Sequence, residues 1–269
     1  MQSVKQSIKS FFYKDVIETR TCNVCGNDYE VYDFYIQGVK KGTNAFCEYC
    51  YKKEQDELLA KEAMESRNRA LLQRYEQISV IPFELENVTF SDYIPKNELQ
   101  QNALDLSLSY AKGGLDRTTL FFQGDTGLGK SHLSYCIYKT FIDKLVPAIF
   151  VDLPSLLTKI KNSFGYKDGS ENQEKILKSL SNCELLVLDD IGAEYVKPDA
   201  NGLESWAADI LFQIVNSRQG KKTIYTTNFN SAQLAQKYGM MSKRIISRMM
   251  NNAKVIKIEG QDHRLKGLD

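Results

Sequence analysis

The chain of 269 residues lacks any apolar run long enough to cross a bilayer, and Met1-Gln2-Ser3-Val4-Lys5 lacks the apolar core of a signal peptide. Both absences point to a cytoplasmic protein without a membrane partner. Net charge is missing too. The 35 basic residues against 34 acidic ones leave a formal +1, which argues against nucleic-acid binding by bulk charge but not against a local basic surface. Cysteine is scarce, six in all, and in a cytosolic chain such residues are ligands or core side chains rather than disulfides. The chain as a whole, 42% hydrophobic and 26% charged, is globular in composition and long enough for one large domain, or one ordinary domain plus a small one.

Spacing divides the cysteines. Cys22-x-x-Cys25 and Cys47-x-x-Cys50 are two knuckles with 21 residues between them. Four thiolates so arranged suit one tetrahedral Zn²⁺ with no open position, hence a structural ion that supplies most of the folding energy of a small domain. Cys136 and Cys183 stand alone in apolar segments and read as core residues. Between the knuckles, Tyr29–Tyr32 and Asp33–Ile36 suggest a hairpin, followed by turns at Gly38 and Lys40-Lys41-Gly42. The aromatics Tyr29, Tyr32, Phe34 and Tyr35 suit a protein contact better than base stacking. Upstream, Val4, Ile8, Phe11 and Phe12 have helical spacing, so the first twenty residues predict a short amphipathic helix. Residues 51–79 contain no Pro or Gly and predict a mostly solvated linking helix. The expected division is a zinc-binding domain (1–51), a linker helix (52–80) and a large domain (81–269).

The large domain alternates apolar strands with helical segments. Gly124-Asp125-Thr126-Gly127-Leu128-Gly129-Lys130-Ser131 follows the apolar run ending at Phe122 and precedes the helical stretch His132–Phe141. Strand, glycine-rich loop and helix together make the pattern GxxxxGK[ST] a phosphate-binding loop. Its glycines let backbone N–H groups turn inward, and the helix N-terminus adds partial positive charge. Lys130 is expected to reach the β- and γ-phosphates of ATP, and the Ser131 hydroxyl to ligate Mg²⁺. Leu185–Leu188 is apolar without alternation, as in a strand buried on both faces of a parallel sheet, and it ends in Asp189-Asp190. Asp189 is expected to hold Mg²⁺ or its water shell, and Asp190 to orient or deprotonate the attacking water. A further strand, Lys222–Thr227, ends at Asn228, directed toward the γ-phosphate region. From Lys237 onward Lys237, Lys243, Arg244, Arg248, Lys254, Lys257, Arg264 and Lys266 face only Glu259, Asp262 and Asp269. Such a surplus suits nucleotide charge across a subunit interface, or a DNA channel.

Four stretches carry a resemblance: Gly124 to Ser131 with His132, Leu188 to Glu194, Tyr225 to Asn228, and Arg244 to Arg248. With Ile81-Pro82-Phe83 and Thr89-Phe90 ahead of them, the large domain resembles the AAA+ ATPases of the bacterial DnaC/DnaI replicative helicase-loader family. A zinc-bearing N-terminal domain is similar to the DnaI type, and a phage-encoded copy is among the readings allowed. The resemblance implies an α/β AAA+ P-loop core, a parallel sheet with helices on both faces and no C-terminal lid. It implies ATP held by Gly124 through His132, with Lys130 and Ser131 on phosphates and Mg²⁺, Asp189 on the metal and Asp190 as catalytic acid position. Many AAA+ proteins carry Glu there, so the shorter Asp190 leaves the hydrolysis rate open. Asn228 matches the first sensor, Arg248 the arginine finger with Arg244 as runner-up, and Arg264 the second sensor. The implied partners are a DnaB-type helicase, single-stranded DNA, with Tyr166 and Tyr195 as loop contacts, and neighbouring copies of the chain. Alternatives are an IstB-type transposition helper, disfavoured by the four-cysteine module, a non-hydrolysing ATP-dependent matchmaker, and a nucleoside kinase, for which no acceptor site is visible.

Overall fold

The computed structural model describes residues 12–115, 119–163, 173–195 and 206–263. The chain forms two compact units, Met1–Ser66 and Arg67–Asp269.

The first unit is an antiparallel sheet of β1 (Phe12–Thr21), β2 (Asp28–Ile36) and β3 (Val39–Asn44), paired in chain order. The helix expected over the first twenty residues is therefore corrected for 12–20. Phe12, Tyr13, Val16, Ile17, Thr19 and Thr21 are aromatic or β-branched, and this favours a strand over a short helix. Val4, Ile8 and Phe11 lie outside the described residues. The expected hairpin is also relocated. Residues 28–36 form one strand, and the turn is at Gln37 and Gly38, with φ of 51° and 78°, the left-handed pair that a two-residue hairpin needs. Lys40-Lys41-Gly42 lies within β3. Burial is slight: Val31 and Cys47 are the buried apolar side chains among the described residues here, and every residue of β1 is exposed.

Helix α1 (Glu48–Glu76) starts at the second knuckle and runs through the division between the units. Of its 29 residues Tyr75 alone is buried, and its Lys53–Glu57 pair, 4.0 Å apart and exposed, adds little.

In the second unit α2 (Glu98–Ala111) leads to β4 (Thr119–Gln123), and α3 (Lys130–Asp143) follows the glycine-rich loop. Next come β5 (Ala148–Asp152), α4 (Leu153–Ser163), α5 (Gln173–Asn182), β6 (Leu185–Asp189) and α6 (Trp206–Ser217). The described chain finishes with β7 (Lys222–Thr227), α7 (Ser231–Tyr238), α8 (Ser242–Met250) and β8 (Ala253–Lys257). Sequence periodicity predicts one helix from Lys237 to Met250. Gly239, at φ 55°, instead breaks it between α7 and α8.

The five strands are parallel in the order β5-β6-β7-β4-β8. Alternate side chains enter opposite cores: Leu120, Phe122, Val187 and Ile224 pack with α2 and α3, while Phe121, Leu186, Leu188 and Tyr225 pack with α4, α5 and α6. A sheet covered on both faces explains why β6 is apolar throughout. It also leaves polar chemistry only at the strand ends. Because β7 lies between β4 and β6, its C-terminal end separates the glycine-rich loop from Asp189. Cys136 and Cys183 are buried, as their apolar settings imply.

Candidate functional site

The loop after β4 is shaped by its glycines. Gly127 and Gly129 have φ of 75° and 81°, and a Cβ at Gly127 would overlap the Asp262 carboxylate. Lys130 opens α3, is buried, and donates to the carbonyls of Gly124 (2.9 Å) and Asp125 (2.7 Å). Its ammonium is thus aimed into the loop.

Beside the loop lies a cavity of about 400 Å³ whose lining includes Thr126, Lys130, Ser131, His132, Asp190 and Asn228. The structure so brings together residues 102 positions apart in sequence, Thr126 and Asn228. Its far wall comes from the segment ahead of α2, which includes Leu85, Val88 and Tyr93. That segment is bonded onto α3: His132 Nε2 meets the Thr89 carbonyl at 2.8 Å, and Tyr135 donates to Glu86 O at 3.1 Å. Asp92 caps the Thr89 N–H at 2.7 Å, closing the short turn that presents Tyr93. Tyr93 in turn donates to Leu128 O at 3.3 Å.

Asp189 is buried at the end of β6, and burial pushes its carboxyl up to about 6. The Thr226 and Ser131 hydroxyls and Lys130 pull the other way. The buried carboxylate is short of positive charge next to Ser131, and the pair fits a divalent cation. Thr226 carries a double duty. Its hydroxyl donates to Asp189 Oδ1 and accepts the Asp190 N–H at 2.9 Å. Asp190 is thereby held at φ 53°, left-handed and uncommon outside glycine, with Ala193 N–H donating to its carbonyl at 3.0 Å.

Thr226, Tyr93 and His263 were not singled out by sequence reasoning as site residues. Thr226 was legible, because it lies near the end of β7, two positions before Asn228 in the stretch Tyr225 to Asn228. Tyr93 and His263 gave no signal; His263 reaches the cavity because its N–H donates to Gly127 O at 3.1 Å. Arg264 falls outside the described residues, as does Tyr166. Tyr195 is exposed. Arg248 does not line the cavity: it is exposed on α8 and its Nε donates to Asn216 Oδ1 at 3.0 Å. Arg244, also exposed, stacks over Phe212 at 4.5 Å.

In the first unit the sulfurs of Cys22, Cys25, Cys47 and Cys50 all lie within 4.8 Å of one another. Cys22–Cys50 and Cys25–Cys47 are each 3.7 Å apart. A tetrahedron of Zn–S bonds about 2.3 Å long has edges of about 3.8 Å, so the cluster fits zinc. Backbone N–H groups of Cys25 and Val24 hold the Cys22 thiol down to about 6, whereas sharing protons with Cys25 and its neighbours pushes Cys50 up to about 12. A cation in place of the shared protons suits such a set.

Fold and loop together define the class: a P-loop ATP-binding protein of AAA+ type, built on a five-stranded parallel sheet among the described residues. The chain belongs to the family of IstB-like ATP binding proteins, whose model matches residues 37–268. Replicative helicase loader DnaC of Escherichia coli (strain K12) is 27% identical over 194 residues, 70% of this chain and 73% of the relative. Replicative helicase loader DnaI of Bacillus subtilis (strain 168) is 22% identical over 269 residues, covering 94% of this chain and 81% of its own. A crystal structure of the DnaC helicase loader superposes with a TM-score of 0.55 at 26% identity, over 66% of this chain and all of that one. The chain is thus of DnaC/DnaI type. Among the described residues no helix is long and apolar enough to cross a membrane.

Proposed function

We propose that this protein is a cytoplasmic, ATP-dependent loader that grips a DnaB-type replicative helicase and delivers it onto single-stranded DNA. The observation that carries the reading is the convergence of Lys130, Ser131, Asp190 and Asn228 on one cavity at the strand ends. The likeness to DnaI, which extends over 94% of the chain and so includes the first unit, supports loading over other uses of this core.

In this reading the chain divides as 1–51, 52–80 and 81–269. The zinc-holding domain contacts the helicase, and the ATPase domain contacts DNA. Loop N–H groups from Gly124 to Gly129 and the N-terminus of α3 bind the phosphates. Lys130 exchanges its two carbonyl partners for phosphate oxygens, and His132 fixes the wall against Thr89. Ser131 and Asp189 hold Mg²⁺, which when bound neutralises charge on the transferred phosphoryl group. Asp190 takes the water's proton, held in register by Thr226, and Asn228 senses the γ-phosphate. Arg248 acts across the subunit boundary, with Arg264 on the same nucleotide from its own chain. ATP binding orders neighbouring copies, and hydrolysis loosens them and frees the loader.

A second reading, an ATPase that assists a transposase, is favoured by the IstB-like family match. Co-purification with the host's replicative helicase, with and without ATP, separates them. ATP-sensitive capture of the helicase is expected; capture of a transposase instead, with no helicase, would overturn the loader reading.

A further inference from the structure

The pole of the second unit opposite the phosphate loop holds a cleft of about 540 Å³, larger than the cavity beside the loop. Its walls come from segments that precede strands: the end of α2, the end of α3 ahead of β5, and the turns leading into β6 and β7. Lys112, Lys144, Lys221 and Lys222 line it, against one acid, Glu184. Behind it sits Arg218, fully buried, whose hydrogen bonds go to uncharged groups. Its guanidinium donates to the carbonyls of Leu180, Ser181, Cys183 and Lys222 and to the Thr223 hydroxyl. No ion pair reaches Lys112, Lys144 or Lys221 among the described residues.

Part of this charge has a structural job. Helices α2, α3, α5 and α6 all end at this pole, each bringing about half a negative charge. Lys144 donates to Ala111 O at 3.1 Å and Lys221 to Ser181 O at 2.6 Å, capping α2 and α5. Five cations against one carboxylate and four helix ends still leave a surplus of about two positive charges. A chain of formal net charge +1 has concentrated cations here.

We infer that this cleft is a second anion site, one that takes the phosphodiester backbone of nucleic acid. The inference deepens the loader reading by naming a DNA surface which that reading leaves open. Lysines on flexible stems suit a backbone that varies in position. Protein interfaces centre on exposed aromatic anchors and arginines; here the one aromatic, Phe141, is buried, with the Lys222 ammonium 5.6 Å above its ring.

The test is fluorescence anisotropy of the full chain with a labelled oligonucleotide of about 20 nucleotides, titrated at several salt concentrations. The variant Lys112→Glu/Lys221→Glu should lose about tenfold or more in affinity. Its log–log salt dependence should be shallower by about 1.4, two single-strand phosphate contacts. Lys112→Arg/Lys221→Arg should restore both. ATP affinity, read in the same samples, should not change, because the phosphate loop is at the other pole. Wild-type DNA affinity and slope in the charge-reversed protein would overturn the inference, as would pyrophosphate binding the cleft as tightly as the oligonucleotide. Hydrogen exchange on the wild-type chain covers the case in which the variant misfolds: DNA should slow amides at 111–114 and 220–222, and unchanged exchange there refutes the site. Loss of ATP or helicase binding by the wild-type protein is a different failure, that of the loader reading.

Discussion

The two units hold themselves together by different means. In the first, two apolar side chains are buried among the described residues and four sulfurs converge. In the second, two extensive apolar cores flank a parallel sheet, and polar chemistry is confined to the strand ends. The difference teaches where each unit stores its information: in ligand spacing where the core is too small, and in strand patterning where it is large.

The strongest way to break that contrast is to remove one of the four clustered sulfurs that fit a metal. Cys22→Ser should take zinc content from one ion per chain to none and unfold the first unit, since a structural zinc contributes on the order of 10 kcal/mol. The second unit should melt unchanged by calorimetry. Unchanged zinc stoichiometry would remove the metal from the account.

Next in size are the two polar substitutions at the nucleotide cavity. Asp190→Ala should lower ATP turnover by about 10²–10⁴, the worth of a positioned base, while nucleotide affinity survives. Helicase loading spared in this variant despite lost turnover would favour the matchmaker reading, and turnover equal to wild type would remove Asp190 from the chemistry. Lys130→Ala should instead weaken ATP binding about 100-fold, or about 2.7 kcal/mol, and leave zinc content untouched.

Asp189 sharpens the comparison from the side of stability. Burial raises its carboxyl to about 6 from an ordinary 3.8. Between about pH 4 and 6 the folded chain holds a proton that the unfolded chain has released. Stability from this group therefore falls as pH rises through that window, and the penalty is complete above it. Asp189→Asn should raise the second unit's stability at pH 7 by up to about 3 kcal/mol, and by almost nothing at pH 4, while Mg²⁺-dependent ATP binding is lost. Denaturant melts at the two pH values check this.

The smallest effect is expected at Thr226→Val, which strips a partner from both Asp189 and the Asp190 N–H. It should destabilise the second unit by about 1–3 kcal/mol and slow turnover without altering zinc content.

Legibility in the sequence follows the same division. The uninterrupted run Leu185–Leu188 announced a doubly covered strand, and the phosphate loop carried its own context of strand and helix. The cluster of Cys22, Cys25, Cys47 and Cys50 was legible because two paired knuckles can bring four sulfurs together. Strand β1 was misread because Val4, Ile8, Phe11 and Phe12 have helical spacing, while the aromatic and β-branched content from Phe12 onward favours pairing with β2. The break at Gly239 was passed over because the cations on either side read as one basic face. Tyr93 and His263 were invisible because long-range bonds to Leu128 and Gly127 bring them in, and no local pattern encodes those.

The central claim is that a nucleotide in the Gly124–Ser131 loop joins neighbouring copies of the chain through Arg248. Sedimentation velocity with a non-hydrolysable ATP analogue, on wild type and Arg248→Ala alongside their measured nucleotide affinities, tests it directly. The account predicts equal affinity in both, with assembly only in wild type. Full assembly by Arg248→Ala, or none by wild type at saturating nucleotide, would contradict it.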